Sequence, residues 1–462
     1  MCSRRRRGTV YKRPMNRVSL AAAPWHPGRI FGLLLVLLVS LSACAAADSQ
    51  GSGGQAAVNS PDLALVKRVM DRVSSDYVVP VDQKKLIVDG LKGMLSGLDP
   101  HSDYLDEQEY QEMVSDSEGE FAGIGIEINR DENRLRIISP IDDTPAARVG
   151  LKAGDVIARI DGEPTDGMTL RDAVEKLRGA AGSAVRITIE RGNGKPFDVT
   201  LTRAVIRVVS VKAKLEPGKI GYLRIVSFGE RTESEFNVAL DQLRKEAGGR
   251  FNGFVLDLRN DPGGLLESAV HIAGDFLNGG TVVTTRGRHN DDDETYSAPP
   301  DGDRIKGVPM YALINGASAS ASEIVAGALQ DRKRATLLGT RSFGKGSVQT
   351  IIPLDGQGAL RLTTARYYTP SGRSIQGDGI IPDIVLLPSK EATDARGDTI
   401  HETNLRGALK NDTREGGATN VGLRKPADTA DDITIDSLLI GTDKDNQLNT
   451  ALERLRRPMA EK

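Results

Sequence analysis

At 462 residues the chain is too long for one ordinary domain and implies two or three. Its 39% hydrophobic and 27% charged residues are those of a soluble globular protein. A formal net charge of −2 excludes electrostatic attraction of the whole chain to nucleic acid, so none is expected as a partner.

A basic stretch ending at Arg29 precedes an apolar run over 30–39, too short to span a bilayer comfortably, and the two together read as an export signal. The run ends in Leu41-Ser42-Ala43-Cys44, the order of a bacterial lipoprotein signal, in which the cysteine is lipidated and becomes the first mature residue. An ordinary small-residue cleavage site within 43–47 is the alternative, and Met15 is an alternative start. On the lipoprotein reading residues 1–44 are signal, Cys44 carries the lipid, and the folded body faces the periplasm or cell exterior. Ala45 follows the cysteine in place of an aspartate, which in a Gram-negative host points to the outer membrane. Only Cys2 and Cys44 occur, so a mature chain starting at Cys44 has no partner for an internal disulfide. Residues 45–60, rich in Gly, Ser, Ala and Gln without an apolar period, read as a flexible tether.

Leu63, Val66, Met70, Val73 and Tyr77 recur at helical spacing, and Ile87, Leu91, Met94, Leu95 and Leu98 repeat the pattern beyond Pro80. Residues 61–117 therefore read as a small helical module. From 118 to 206 the texture is β-rich: Val185, Ile187 and Ile189 alternate with Arg186, Thr188 and Glu190 as in a half-buried strand. One helix over 170–178 interrupts it, with Thr169 and Asp172 as start signal and Gly179 as stop. Over 207–388 strands and helices alternate, with strands expected at 220–225, 253–258 and 310–314 and helices at 233–246, 265–277 and 320–330, the signature of an α/β layer structure. Residues 389–462 are polar and charged, in part disordered by composition, and close in an amphipathic helix over 447–455.

Three segments carry candidate chemistry. In the first, the apolar strand 310–314 runs through a small-residue turn bearing Ser318, Ser320 and Ser322 into a helix. A serine there lies beside unpaired N–H groups that favour a developing oxyanion. Each of the three could instead cap the helix, and the residues alone do not choose among them. In the second, Phe343-Gly344-Lys345-Gly346-Ser347-Val348-Gln349 places a lysine between glycines ahead of a β-type run. If the strand includes both, Lys345 and Gln349 share a face and the Gln349 amide oxygen can orient the amine. A surface lysine at a turn is the other reading, and G-x-x-x-x-G-K-[ST] spacing is absent. In the third, Asp257-Leu258-Arg259-Asn260-Asp261-Pro262-Gly263-Gly264 ends a strand in a turn whose glycines admit close backbone approach to a ligand.

Together these segments resemble the carboxyl-terminal processing, or tail-specific, protease family. The resemblance spans about 63–387 and includes Leu98-Asp99-Pro100-His101-Ser102 and the run 365–384. It implies a multidomain serine endopeptidase with an α/β core of crotonase/Clp-like type, an inserted PDZ domain and the N-terminal helical module. It assigns Ser320 as nucleophile, Lys345 as general base, Gln349 as the positioner of the lysine, and the N–H of Ala321 with that of Gly263 or Gly264 as the oxyanion hole. Asp261-Pro262 stands where many relatives carry an Asn-Gly-type turn, which leaves the choice of glycine open. The lysine has to work as a free amine. At a pKa of about 10.4 only roughly one lysine in 2,500 is neutral at pH 7, and bringing it near neutrality destabilises the ammonium by about 4 kcal/mol, which apolar burial can supply.

Phe121-Ala122-Gly123-Ile124-Gly125-Ile126 is a glycine-alternating loop of the kind whose backbone N–H groups capture a carboxylate. With 146–151, 154–157 and 160–162 it resembles bacterial PDZ domains, which implies that Gly123, Ile124, Gly125 and Ile126 hold the free, apolar C-termini of polypeptide substrates. Family resemblance also suggests an adaptor or activator protein and a homodimer; no cofactor is expected. An inactive lipid-anchored PDZ scaffold is disfavoured because Ser320, Lys345 and Gln349 are all present. A Ser-His-Asp enzyme needs a histidine base, and His26, His271, His289 and His401 lie in unsuitable contexts while His101 reads as shaping a turn. No H-E-x-x-H occurs, so a metalloprotease is disfavoured and no metal is expected.

Overall fold

The apolar repeats near the N-terminus form helices in the computed structural model, which describes residues 60–131, 134–141, 143–152, 154–192, 194–390, 393, 401–412, 435 and 439–457. The export signal, Cys44 and nearly all of the tether lie outside the described residues. Helix α1 covers Ser60–Asp76, and α2 (Gln83–Ser96) starts at Asp82, whose side chain accepts from the N–H groups of Lys84 and Lys85. The helical period was legible, but α2 buries none of its residues, and Val69, Tyr77, Ile87 and Met94 stay exposed. A short strand β1 (Asp103–Leu105) follows, then α3 (Glu107–Ser117), opened by an Asp106–Glu109 capping box.

The β-rich domain comprises β2 (Glu120–Gly123), β3 (Ile126–Asp131), β4 (Arg134–Pro140), α4 (Pro145–Arg148), β5 (Val156–Ile160), β6 (Glu163–Pro164), α5 (Leu170–Leu177), β7 (Ala184–Glu190), β8 (Phe197–Thr202) and β9 (Ala204–Arg207). Along β7 the alternation holds, with Val185, Ile187 and Ile189 buried and Arg186 exposed. The Thr169–Asp172 capping box opens α5. The main sheet has the order β3-β4-β5-β7-β8, with β6 against β5 and a separate β2–β9 ribbon. Two consequences matter for function: β3 is an edge strand, and the loop between β2 and β3 lies at its head.

The α/β domain begins with β10 (Val211–Glu216), β11 (Ile220–Ile225), α6 (Thr232–Glu246), β12 (Gly253–Asp257) and α7 (Leu266–Gly274). It continues through β13 (Thr281–Arg286), β14 (Glu294–Ser297), β15 (Met310–Ile314), α8 (Ala321–Asp331), β16 (Thr336–Gly339), β17 (Ser347–Pro353), β18 (Ala359–Tyr368) and β19 (Ile384–Val385), and a terminal helix α9 (Asn446–Arg456) closes the chain. The central sheet runs β10-β11-β12-β15-β16-β19, parallel from β11 onward. Its strands β11 and β12 are buried along their whole length, as a parallel sheet covered on both faces requires. Phe236, Phe254, Phe276 and Ile324 belong to the cluster on one face, while Leu448, Leu452 and Leu455 of α9 pack on Tyr222, Val255 and Leu313 on the other. A second sheet joins β1, β18, β13 and β14, with β17 paired to β18. The loops after β12, β15 and β16 leave the carboxyl ends of adjacent parallel strands, where such folds place their sites.

Candidate active site

The turn between β15 and α8 treats its three serines differently. Ser318 is fully buried; its hydroxyl accepts the Asn315 N–H at 2.9 Å and donates to the Leu258 carbonyl at 2.7 Å. Ser322 is equally buried and donates to the Asp261 carbonyl at 3.1 Å. Both therefore stitch this turn to the loop after β12. Ser320 does neither, and it does not cap the helix, since the Glu323 N–H donates to the Ser320 carbonyl at 2.9 Å. Its φ of 57° and ψ of −113° lie outside the regions that L residues favour, a strained corner like those on which nucleophiles are presented. Its hydroxyl lies 2.7 Å from the Tyr367 hydroxyl, and no described hydrogen bond joins it to Lys345.

Gly263 packs directly against this corner. With φ of 95° it occupies glycine territory, and a Cβ there would lie 2.6 Å from the Ala319 carbonyl oxygen and 2.8 Å from both the Ala321 nitrogen and the Ser320 Cβ. Its N–H donates to Asp261 Oδ1 at 2.8 Å. No described hydrogen bond takes up the N–H of Gly264 or that of Ala321 at the start of α8. The loop is held from below by Arg259, fully buried, whose guanidinium donates to both Asp257 and Asp445. Asp261 is buried with Oδ2 unpartnered, and burial pushes its carboxyl up to about 8.

A residue that sequence reasoning did not single out joins the serine to the lysine. Glu323, on the first turn of α8, is fully buried and accepts four hydrogen bonds. Oε2 takes the N–H of Ser320 at 2.8 Å and of Lys345 at 2.9 Å; Oε1 takes the Gly344 N–H at 2.7 Å and the Ser342 hydroxyl at 2.5 Å. Burial raises its pKa to about 7 against those bonds. The Ser320-x-x-Glu323 spacing, that of a capping box, was the one local hint. At Lys345 burial lowers the pKa, with Arg361 acting in the same sense and Glu402, Glu323 and Asp99 opposing.

The expectation that Lys345 and Gln349 share a strand face is corrected by the structure. The strand β17 starts only at Ser347, so Lys345 lies ahead of it and outside the strand. Gln349 Nε2 donates to Ser347 Oγ at 2.9 Å and Thr363 Oγ1 at 3.3 Å, which leaves its Oε1 without a described donor. His101 stands in a turn, as read from Asp-Pro-His-Ser, and its side chain has a further partner. Asp99 shapes that turn, accepting the N–H groups of His101 and Ser102, while the imidazole Nε2 reaches Glu402 at 2.9 Å.

In the β-rich domain the loop from Gly123 to Ile126 turns its carbonyls inward. Ala146 N–H donates to the Ile124 carbonyl and Ile141 N–H to the Gly125 carbonyl, both at 2.9 Å. No described bond uses the N–H of Ile124 or Gly125. Gly125 has φ of 80°, and a Cβ there would lie 2.2 Å from the Thr144 Cβ. Free amides at the head of an edge strand suit a chain that adds as a further strand and ends in a carboxylate.

The two folds together, an α/β layer with a serine at a helix N-terminus and an inserted domain with an open edge, define a serine peptidase that carries its own peptide-binding module. Residues 219–386 match peptidase family S41 and residues 136–191 match a PDZ domain. The carboxy-terminal-processing protease of Bartonella bacilliformis is 47% identical over 376 residues, which are 81% of this chain and 86% of that protein. The carboxy-terminal processing protease CtpA of Bacillus subtilis is 32% identical over 83% of this chain and 84% of its own length. A solved photosystem II D1 C-terminal processing protease is 30% identical, with a TM-score of 0.45, over 72% of this chain and 94% of that one. The chain belongs to peptidase family S41, among the carboxy-terminal-processing proteases. Among the described residues no helix is long and apolar enough to cross a membrane.

Proposed function

We propose that this peptidase is an exported endopeptidase that cleaves polypeptides with a Ser320–Lys345 dyad after engaging their C-terminal tails in its PDZ domain. The observation that carries the reading is the corner at Ser320: a strained serine, flanked by two unengaged amides, whose backbone shares the Glu323 carboxylate with that of Lys345. In the reaction the Ser320 hydroxyl leaves Tyr367, attacks the scissile carbonyl and passes its proton to the neutral Lys345 amine. The oxyanion is received by the N–H groups of Ala321 and Gly264, because that of Gly263 is engaged by Asp261. Lys345 then protonates the leaving amine, and water hydrolyses the acyl-enzyme by the same route in reverse. Gln349 acts as positioner through the amide oxygen that its other bonds leave free. The direct test is digestion of an unfolded protein by the wild type and by Ser320→Ala, with fragments mapped by mass. Cuts made only by the wild type support the reading, and equal cutting overturns it.

Tail recognition makes a separate prediction. One peptide is compared as free acid and as amide, well below saturation. Amidation removes the charge and turns an acceptor oxygen into a donor that faces the N–H groups of Ile124 and Gly125. Loss of these charge-assisted bonds weakens binding roughly ten- to a hundredfold, at about 1.5–3 kcal/mol. Internal cleavage sites stay the same while the rate drops; equal rates for acid and amide would remove the PDZ domain from substrate capture.

The anchor is proposed at Cys44, with the body on the periplasmic side and the outer membrane as destination in a Gram-negative host. Cys44→Ala is expected to release or mis-sort the protein on fractionation; a soluble wild-type product whose N-terminus lies beyond Cys44 contradicts the anchor. The open apolar faces of α1 and α2 support assembly as a homodimer, and an adaptor or activator protein is the other partner in keeping with the family.

A further inference from the structure

Glu402 lies in a stretch whose composition reads as polar coil, yet its side chain is 1% exposed. Its backbone N–H donates to the Phe343 carbonyl at 3.1 Å. Its Oε1 accepts from Gln376 Nε2 at 2.9 Å, and Gln376 Oε1 accepts the Gly346 N–H at 2.9 Å. Lys345 lies between those two anchor points, so residue 402 grips the lysine loop on both sides. The grip is braced from two directions. His101, which reaches in from the turn after α2, places Nε2 3.0 and 2.9 Å from the two carboxylate oxygens. Further along the same segment, the Leu409 carbonyl accepts from Gln376 Nε2 at 3.2 Å, and Asn411 Nδ2 donates to the Gln376 carbonyl at 3.0 Å.

The charges that act on the lysine amine are Glu402, Glu323 and Asp99, which favour its protonated form, and Arg361, which disfavours it, with Glu402 first among them. The other two carboxylates are engaged elsewhere: Glu323 by four donors, and Asp99 by His101 N–H, Ser102 and Thr363. Arg361 donates to the His101 carbonyl at 3.1 Å, so it belongs to the same cluster. We propose that Glu402, braced by His101 and Gln376, is a positioning residue for Lys345, holding the loop that carries the amine and supplying the negative charge that faces it. The proposal rests on Lys345 being the base. A segment far from the serine in sequence is thereby part of the catalytic apparatus.

Two roles, grip and charge, separate by substitution. Glu402→Gln keeps the length and the backbone bond to Phe343 but removes the charge, so the ammonium loses its main counter-charge. The acid limb of the kcat/KM profile is then expected to move to lower pH by at least about half a unit. Glu402→Asp keeps the charge and shortens the reach, so the limb stays in place while kcat falls about tenfold through a displaced amine. Thermal melts accompany both, and if the Gln variant does not fold, the Asp variant decides alone. A wild-type limb in a folded Glu402→Gln, or wild-type kcat in Glu402→Asp, overturns the proposal. Lys345→Ala is assayed alongside: activity there removes the dyad itself, whereas an inactive Lys345→Ala with wild-type behaviour at 402 removes only this inference.

Discussion

Lys345→Arg is expected to be as inactive as Ser320→Ala, with peptide cleavage reduced by about 10³-fold or more in each and the melting curves still cooperative. Arginine keeps the positive charge and nearly the reach, but guanidinium does not deprotonate in a protein and cannot accept the serine proton. The pH profile follows from the same chemistry. Burial lowers the Lys345 pKa below its ordinary value, so the free amine becomes abundant at lower pH than in an exposed lysine, and activity rises with pH through that point. Stability takes the same sign. Between the lowered folded pKa and the ordinary one the unfolded chain binds more protons than the folded one, so this residue's contribution to stability rises with pH across that window. Lys345→Met removes the penalty, and the variant should melt no lower than wild type at neutral pH while cleaving nothing. Robust cleavage by any of these lysine variants eliminates a dyad mechanism.

What the sequence disclosed and what it hid divide along physical lines. The strand, small-residue turn and helix around Ser320 were readable because each is encoded by neighbours: apolar β-branched and aliphatic residues, then Gly and Ala, then a helical run. The alternation along β7 and the capping box of α5 were readable for the same reason. Which of three serines stands free was not, since that depends on Ser318 and Ser322 bonding to Leu258 and Asp261 across the sheet. The point at which β17 begins has no dependable local signature either, and it is that start at Ser347 which leaves Lys345 outside the strand expected for it. Glu402 was hidden most completely. A single carboxylate among many in a polar tract has no signal until tertiary contacts bury it against His101 and Gln376. Burial of polar residues in a sequence of coil-like composition is where local reasoning fails, because the compensating partners are distant.

Gly263→Ala is expected to lower kcat by about 10²- to 10³-fold while leaving a folded enzyme, because it places a methyl group where the oxyanion forms. Two effects combine there. An alanine at φ of 95° is strained by about 1–3 kcal/mol, a loss that a domain of this size tolerates with a lower melting temperature. The Cβ also points into the corner, 2.8 Å from the Ala321 nitrogen and from the Ser320 Cβ, and 2.6 Å from the Ala319 carbonyl oxygen. Two of those three atoms are backbone and lie in a turn pinned by Ser318, Ser322 and Glu323, so they have little room to retreat. The N–H of Ala321, or the loop bearing Gly264, has to move out of line with a carbonyl held on Ser320. Binding of the tail is remote from this change, so KM for a peptide with a free carboxyl end should alter far less than kcat. The same substitution at Gly264 gives no such separation, because its Cβ would lie 2.1 Å from the Phe228 carbonyl oxygen and disrupt the strand junction itself. Steady-state kinetics and a thermal melt of Gly263→Ala decide the matter: a folded variant with wild-type kcat would place the oxyanion site elsewhere than between α8 and the loop after β12.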